Sequence, residues 1–386
     1  PHIMAERSFA AEVEQLRAEP GSVFHGEGIL AVTKALLECG VGYVAGYQGS
    51  PISHLMDVLA DAQDLLADLD VRFEANANEA AAAAMLAASV HYPIRGAVTF
   101  KGPVGVNVAS DALANLASSG VNGGALIIVG EDYGEGSSIM QERSHAFAMK
   151  SQFWLLDPRP NLTSITKAVA DGFALSEASN SPVMLMVRIR SCHVTGSFAT
   201  KDNVRPPLSV REALSAPQSD FARVVLPPMS YIHEQDKIKN RWPAAEKFIV
   251  ENQLNEVFGP KSAPVGLVLQ GGMYNGVIRA LRKYSVVAHS LQGPRLVGSV
   301  FVVGDLTKSR SSFGDGIEVR TEAKELTREG AVIDAVWSRR DFVNGAKLSG
   351  DTINLAKFVH QTLLCVQSTS CINQDNVDLL LLAGRH

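Results

Sequence analysis

Residues 71–145 contain the stretch that decides the fold: VRFEANANEAAAAAMLAASVHYPIRGAVTFKGPVGVNVASDALANLASSGVNGGALIIVGEDYGEGSSIMQERSH. In it, short apolar runs typical of buried strands alternate with segments of helical periodicity. The predicted strands are 71–74, 96–100 and 125–130, and the predicted helices are 78–90 and 107–118. Between residues 100 and 107 the glycines predict a non-helical crossover. Such alternation predicts an α/β fold with a doubly wound, mostly parallel sheet.

The same alternation extends to both sides of this stretch. The flanking segments predict helices at 5–19, 26–39, 53–66 and 163–178, and strands at 41–45 and 182–187. We therefore place one α/β domain at 22–195. A Pro- and Ser-rich segment at 196–230 predicts a linker, and the strand at 265–269 with its following helix predicts the start of a second α/β domain at 231–284.

The last hundred residues lose this pattern. Residues 285–386 are either a divergent domain or an aberrant tail, and a shift of reading frame near residue 284 is one hypothesis for the abrupt change. The segment contains Gly314-Asp315-Gly316 followed by Asn344, which matches the spacing of a diphosphate-binding GDG motif. No apolar strand precedes it, so a simple turn is the better interpretation.

Composition limits the classes of function. The chain has 386 residues, 46% of them hydrophobic, and a net charge of −5, which does not favour nucleic-acid binding. The sequence has no run of about 18 apolar residues and no signal peptide, so we expect a cytoplasmic protein that does not span a membrane. The four scattered cysteines cannot form an iron–sulfur cluster by themselves, since such a cluster needs about four clustered thiolates.

Three motifs have the residue types of a reactive site. Glu79 begins the alanine-rich helix, although a first-turn acid beside an Asn78 cap would also stabilise a helix without any catalytic role. Gly46-Tyr47-Gln48-Gly49-Ser50-Pro51 follows a strand, where open α/β sheets bind ligands. The third motif, 101–109, reads KGPVGVNVA, and its Lys101 is either a ligand contact or a solvated charge at the end of a strand.

An acidic, glycine-containing loop follows the strand at 125–130. It reads GEDYGEGSS at 130–138 and continues to Glu142 and Arg143, which either pair across a subunit interface or hold the loop. Arg190 is a second interface candidate. The acids lack the spacing of a calcium loop, so we predict no metal site on this chain.

The order and spacing of these motifs resemble the pyrimidine-binding domain of thiamine-diphosphate enzymes. Among these enzymes, residues 24–283 are most similar to the α-subunit of indolepyruvate:ferredoxin oxidoreductase. The loop at 46–51 is similar to that family's GYPGTP, the run from Lys101 to its KHVGLNVAAD with Gly-Pro in place of His, and the acidic loop to its SSQNEQDSR region.

This resemblance implies thiamine-diphosphate-dependent oxidation of an arylpyruvate such as indolepyruvate, with coenzyme A and ferredoxin. It assigns Glu79 as the catalytic acid that hydrogen-bonds the aminopyrimidine, a role that requires a desolvated carboxyl group. It assigns substrate contacts to Ser50 and Lys101, and cofactor contacts to four further residues: Tyr47, Gly49, Gly105 and Asn107.

The resemblance also implies that this chain holds only half of a site. The diphosphate-binding half, Mg²⁺ and the iron–sulfur clusters would belong to a partner or to a missing segment, so the chain would be an oligomer subunit and inactive alone. Two other interpretations are a decarboxylase- or transketolase-type thiamine enzyme, which would need its own diphosphate domain, and a non-catalytic α/β scaffold.

Overall fold

The structure is a computed structural model that describes residues 7–132, 140, 142–258, 265–266, 268–283 and 331–332. Its strands are β1 (Val23–Glu27), β2 (Tyr43–Gly46), β3 (Arg72–Ala75), β4 (Gly96–Lys101), β5 (Ala125–Glu131), β6 (Trp154–Leu156), β7 (Val183–Arg188), β8 (Thr195–Ala199), β9 (Val265–Gly266) and β10 (Ala331–Val332).

The α-helices lie between and after these strands. They are α1 (Gly28–Glu38), α2 (Ser53–Asp61), α3 (Gln63–Asp68), α4 (Glu79–Met85), α5 (Ala87–His91), α6 (Gly102–Val108), α7 (Ser110–Ser119), α8 (Ser144–Ser151), α9 (Leu162–Ser179), α10 (Ile189–His193), α11 (Val210–Ser215), α12 (Met229–Asp236), α13 (Trp242–Glu251) and α14 (Tyr274–Lys283). Short 3₁₀ turns occupy Val13–Arg17, Phe221–Arg223 and Gly271–Met273, and a π-helical turn occupies Lys237–Arg241.

A six-stranded sheet organises the chain, with strand order β3-β2-β4-β5-β7-β6 and parallel pairing throughout. From β2 the chain passes to β3 on one side, and then crosses to β4 and β5 on the other. The order therefore reverses between β2 and β4. In open α/β sheets, the crevice outside the carboxyl ends of two such strands is where ligands bind.

Hydrophobic cores cover both faces of this sheet, as the predicted doubly wound fold requires. Along β5, Leu126 and Ile128 face the core formed with α1, α2 and α9, whereas Ile127 and Val129 face the core formed with α4 and α7. Side chains of a strand alternate between faces, so a strand covered on both sides is apolar along its whole length. The predicted fold class is confirmed.

Several predicted elements differ from those observed. The predicted crossover at 101–106 is helix α6, because Pro103 lies in its first turn, where the fixed φ of proline favours helix and its missing N–H costs nothing. The helices predicted at 53–66 and 78–90 are each divided, at Ala62 and Leu86. In place of the helix predicted at 5–19, the described residues contain only the 3₁₀ turn Val13–Arg17.

The sequence did not predict the antiparallel pair β1 and β8. This ladder pairs Val23 with Ala199 and Glu27 with Thr195, and so joins segments about 170 residues apart. Pairing over that separation leaves no local signal in either strand. Most of β8, and also α11, lie within the segment predicted as a linker.

Helices α12 and α13 pack on the sheet domain. Ala245 and Ile249 of α13 belong to the same core as α1 and α9. Arg241, buried between these helices and α7, donates hydrogen bonds to the carbonyl oxygens of Ala117 and Ser118. The proposed start of a second domain at residue 231 remains a prediction. Within the described residues, no helix has both the length and the apolar character that crossing a membrane requires.

Candidate functional site

Four segments meet at the carboxyl ends of the central strands. The loop after β2 contains Ser50, α4 begins with Glu79 after β3, α6 begins after Lys101 of β4, and β5 ends at Glu131. Parallel strands place their carboxyl ends at one edge of the sheet, so these residues share one side of the molecule.

Glu79 lies at the beginning of α4 and is 6% exposed. Asn78 caps the helix by accepting a hydrogen bond from Ala81 N at 2.9 Å, as expected for a cap. The carboxylate of Glu79 makes no hydrogen bond or ion pair with any residue that the structure describes. The Glu79 side chain is thus packed along its stem, while its carboxylate oxygens are not among the fully enclosed polar atoms of the described residues and remain open to the crevice.

Gly105 of α6 lies directly beside Glu79. A Cβ atom built on Gly105 would be 3.2 Å from Glu79 Cγ and 2.6 Å from Phe100 Cδ2. Only glycine therefore permits this approach of α6 to the acid. Farther along the chain, Ala84 of α4 and Ala87 of α5 are exposed.

The loop after β2 has two of the predicted site residues at the surface. Ser50 is exposed, and Tyr47 is 37% exposed. The Ser50–Pro51 peptide bond is cis. Gly49 passes so close to β4 that a Cβ atom at that position would be 2.7 Å from Lys101 Cβ. The structure thus brings Gly49, Ser50 and Lys101 together.

Lys101 is not the solvated strand-end charge that the alternative interpretation expected, since only 11% of its side chain is exposed. Its amine donates hydrogen bonds to the Ser50 carbonyl oxygen at 2.7 Å and to Asp132 Oδ2 at 2.8 Å. These two bonds use two of its three hydrogens.

Asn107 lies on the exposed side of α6, away from the Gly105 contact. Its Nδ2 donates to the Pro103 carbonyl oxygen at 2.9 Å and to Glu142 Oε2 at 2.5 Å. The structure therefore pairs Asn107 with Glu142. Arg190, the other interface candidate, is exposed on α10.

Sequence reasoning did not single out a buried polar cluster behind the crevice, formed by Glu131, Ser144 and His145. Ser144 N donates to Glu131 Oε1 at 2.8 Å, while Glu131 Oε2, Ser144 Oγ and His145 Nδ1 find no hydrogen-bond partner among the described residues. Burial raises the pKa of Glu131 to about 7, and burial followed by the charge of Arg188 lowers the pKa of His145 to about 4.

Gly102 provides the space for this cluster. A Cβ atom there would be 2.4 Å from Glu131 Oε1 and 2.5 Å from Ser144 Oγ. The one sequence signal was Gly102-Pro103 where the resemblance expects a histidine. No group of metal-ligating side chains occurs among the described residues, and the Gly314–Gly316 motif with Asn344 lies outside them.

Comparisons with known proteins agree with this architecture. No family model matches the chain. The IorA subunit of indolepyruvate oxidoreductase from Methanothermobacter thermautotrophicus is 30% identical over 271 residues, which are 69% of this chain and 42% of the relative. The IorA subunit from Pyrococcus abyssi is 27% identical over 261 residues, 66% of this chain and 38% of the relative.

A solved structure has a similar fold. It is a 2-oxoglutarate:ferredoxin oxidoreductase from Magnetococcus marinus with 2-oxoglutarate, coenzyme A and succinyl-CoA bound. The TM-score is 0.56 at 17% identity, over 72% of this chain and 53% of the other. This chain spans about two fifths of the length of the curated relatives it matches. Over that part it is related to the IorA subunits of indolepyruvate oxidoreductase, and it shares the fold of a 2-oxoacid:ferredoxin oxidoreductase.

Proposed function

We propose that this chain supplies the aminopyrimidine half of a thiamine-diphosphate site in a 2-oxoacid:ferredoxin oxidoreductase that acts on an arylpyruvate such as indolepyruvate. One observation carries the proposal: Glu79 is buried beside Gly105 at the crevice edge, with a carboxylate that no described residue engages. The names of the similar IorA subunits support the oxidoreductase class and the substrate.

The residues at the crevice fit the pyrimidine end of the cofactor. A flat ring needs an acid to hydrogen-bond and small neighbours that leave room for it. Glu79 offers the acid, and Gly105 is the small neighbour that lets α6 lie beside it. When bound, thiamine diphosphate supplies the carbanion chemistry that decarboxylation of a 2-oxoacid needs.

In this proposal, the protein's own groups bind and orient. The carboxyl group of Glu79 hydrogen-bonds a ring nitrogen, an interaction that is stronger where water competes poorly. The Ser50 hydroxyl, exposed at the rim, hydrogen-bonds the 2-oxoacid. Tyr47 and Gly49, in the same loop as Ser50, are assigned to the cofactor. Asn107 is also assigned to it, and its side chain is held by a hydrogen bond to Glu142.

The proposal also requires the other half of the site. The diphosphate-binding half, with Mg²⁺, and the iron–sulfur clusters that pass electrons to ferredoxin would come from a partner or from a segment outside this sequence. Coenzyme A would accept the acyl group. We expect the assembly in the cytoplasm and expect this chain to be inactive without its partner.

The test measures exchange of the thiazolium C2 proton of thiamine diphosphate by NMR, in D₂O with the full chain and excess cofactor. This readout needs no substrate, and it is made with the chain reconstituted with the partner that would hold the diphosphate. Wild type is expected to accelerate the exchange, and Glu79→Gln to reduce the acceleration at least about a hundredfold, the usual scale of a general acid–base contribution.

Asp111→Asn is the matched control, since Asp111 is another first-turn acid but is exposed on α7. It should behave as wild type. Equal acceleration by wild type and Glu79→Gln would remove Glu79 from the catalytic role. If wild type gave no acceleration even when reconstituted with a partner that holds the diphosphate-binding half, the alternative of a non-catalytic scaffold would replace the proposal.

A further inference from the structure

We propose that Lys101 is a positioning residue that clamps the Ser50 loop to the end of β5, and not a substrate ligand. The inference rests on the proposed function for the meaning of Ser50, but the clamp itself is a property of the chain alone. It replaces the substrate contact that the family resemblance assigned to Lys101.

The first argument is that the amine of Lys101 is already committed. It donates to the Ser50 carbonyl oxygen at 2.7 Å and to Asp132 Oδ2 at 2.8 Å, and so joins the loop after β2 to the segment after β5. The strand that contains Lys101 lies between those two strands in the sheet. One side chain therefore connects three neighbouring carboxyl ends.

The second argument is burial. The side chain of Asp132 is fully buried, and 11% of the Lys101 side chain is exposed. A buried carboxylate requires a nearby opposite charge. If Lys101 turned outward to meet a substrate carboxylate, it would remove a cation from Asp132, and the free energy gained at the substrate would be offset by that loss.

The third argument is the close approach of the backbone. Gly49 leaves no room for a Cβ atom, which would be 2.7 Å from Lys101 Cβ. The loop is thus held against β4 at the residue just before Ser50. The Tyr47 amide is also fixed to this strand, through a hydrogen bond to the Thr99 carbonyl oxygen at 3.1 Å.

These contacts turn the carbonyl oxygen of Ser50 toward Lys101, while Ser50 remains exposed at the rim of the crevice. The clamp fixes the backbone from which the hydroxyl projects. Fixing that backbone in advance removes an ordering cost when a ligand binds.

Amide hydrogen exchange of the full chain, without cofactor, tests the clamp. Peptides that cover residues 47–52 report it, because the Tyr47 and Ile52 amides are hydrogen-bonded there. Lys101→Met should accelerate their exchange roughly tenfold. Asp132→Asn should also accelerate their exchange, and the double variant should be no faster than Lys101→Met alone, because Asp132 acts on the loop through Lys101.

Two further variants and a control sharpen the result. Gly49→Ala, which forces the loop away from Lys101, should also accelerate exchange. Lys101→Arg, which keeps the charge, should restore part of the protection. Lys167→Met is the matched control, because Lys167 pairs with Asp171 at the exposed surface of α9 and should leave residues 47–52 unchanged.

Unchanged exchange in Lys101→Met, or additive effects of Lys101→Met and Asp132→Asn, would overturn the clamp. A second result would also overturn it. If Lys101→Met left amide exchange unchanged but raised the KM of the reconstituted enzyme for indolepyruvate at constant kcat, Lys101 would contact substrate. If Lys101→Met did not fold, the Lys101→Arg and Gly49→Ala variants would decide. Failure of wild type to accelerate C2 exchange would overturn the proposed function and leave this result intact.

Discussion

The side chain that Gly105 lacks would lie 3.2 Å from Cγ of Glu79. This relationship joins two motifs separated by 26 residues of sequence, one on α4 and one on α6. Because Phe100 Cδ2 is only 2.6 Å from the same point, α6 approaches the sheet and the acid together. The aliphatic part of the Glu79 side chain is therefore packed against α6, and its carboxyl group is left without a hydrogen-bond partner among the described residues.

Replacing Gly105 with Ala tests that packing. The added methyl group would have to displace the Phe100 ring, which is fully buried, and we expect a loss of roughly 1–3 kcal/mol in the free energy of unfolding. Urea denaturation followed by circular dichroism measures it. C2 exchange should fall as well, because Glu79 would move. A variant with wild-type stability and exchange would show that the contact is not tight.

The cap of α4 can be tested separately from the acid. Asn78→Ala removes the hydrogen bond to Ala81 N and should lower the free energy of unfolding by about 1 kcal/mol, the usual contribution of an N-cap. Asn78→Asp, which keeps an acceptor oxygen, should retain most of the stability. Thermal unfolding of the three proteins provides the comparison, and an equal loss in both variants would contradict a capping role.

Glu131 should make stability depend on pH in a defined window. Burial raises its pKa from about 4.5 to about 7 in the folded chain, so between these values the unfolded state has released the proton and the folded state has kept it. The contribution of Glu131 is therefore fully present below about pH 4.5 and is lost as the pH rises to about 7.

Glu131→Gln removes this loss of stability at rising pH, because glutamine does not titrate. We expect the difference in the free energy of unfolding, variant minus wild type, to increase by roughly 1–3 kcal/mol between pH 4.5 and pH 7.5. It should not change further above that pH. Urea denaturation at a series of pH values measures the difference. A constant difference across this range would mean that Glu131 does not titrate there.

The ion pair between Asp157 and Arg188 should anchor the segment that precedes α14. Arg188 Nη2 bonds Asp157 Oδ2 at 2.6 Å and Gln270 Oε1 at 2.7 Å, and Gly272 N donates to Asp157 Oδ1 at 3.2 Å. Asp157→Asn removes the negative charge from a carboxylate that is 2% exposed. We expect a loss of about 3 kcal/mol and faster proteolysis near residue 270.

Asp171→Asn is its control. Asp171 pairs with Lys167 on a solvated helix surface, where ion pairs contribute little, so its loss should stay below about 0.5 kcal/mol. Comparable destabilisation by the two substitutions would show that the Asp157 pair has no special anchoring role.

The sequence was sufficient for five of the six strands of the sheet, all but β6, because the signal of those five strands is local. An apolar run such as 125–130 predicts a strand without reference to the rest of the chain, since a strand buried on both faces must be apolar throughout. The same reasoning failed at 101–106, where glycine suggested a crossover, because the helical preference of Pro103 at a first turn depends on where the helix begins.

What the sequence determined by itself was the alternation of strands and helices, the parallel sheet, and the motifs at its carboxyl edge, including Glu79. The tertiary structure alone decided which of those side chains are already engaged in contacts within the protein and which can contact a ligand. It committed Lys101 to Asp132 and Ser50, placed Gly105 against Glu79, and buried Glu131 with Ser144. These contacts join residues 13 to 51 positions apart, and periodicity reports only neighbours on one element, so packing had to decide them.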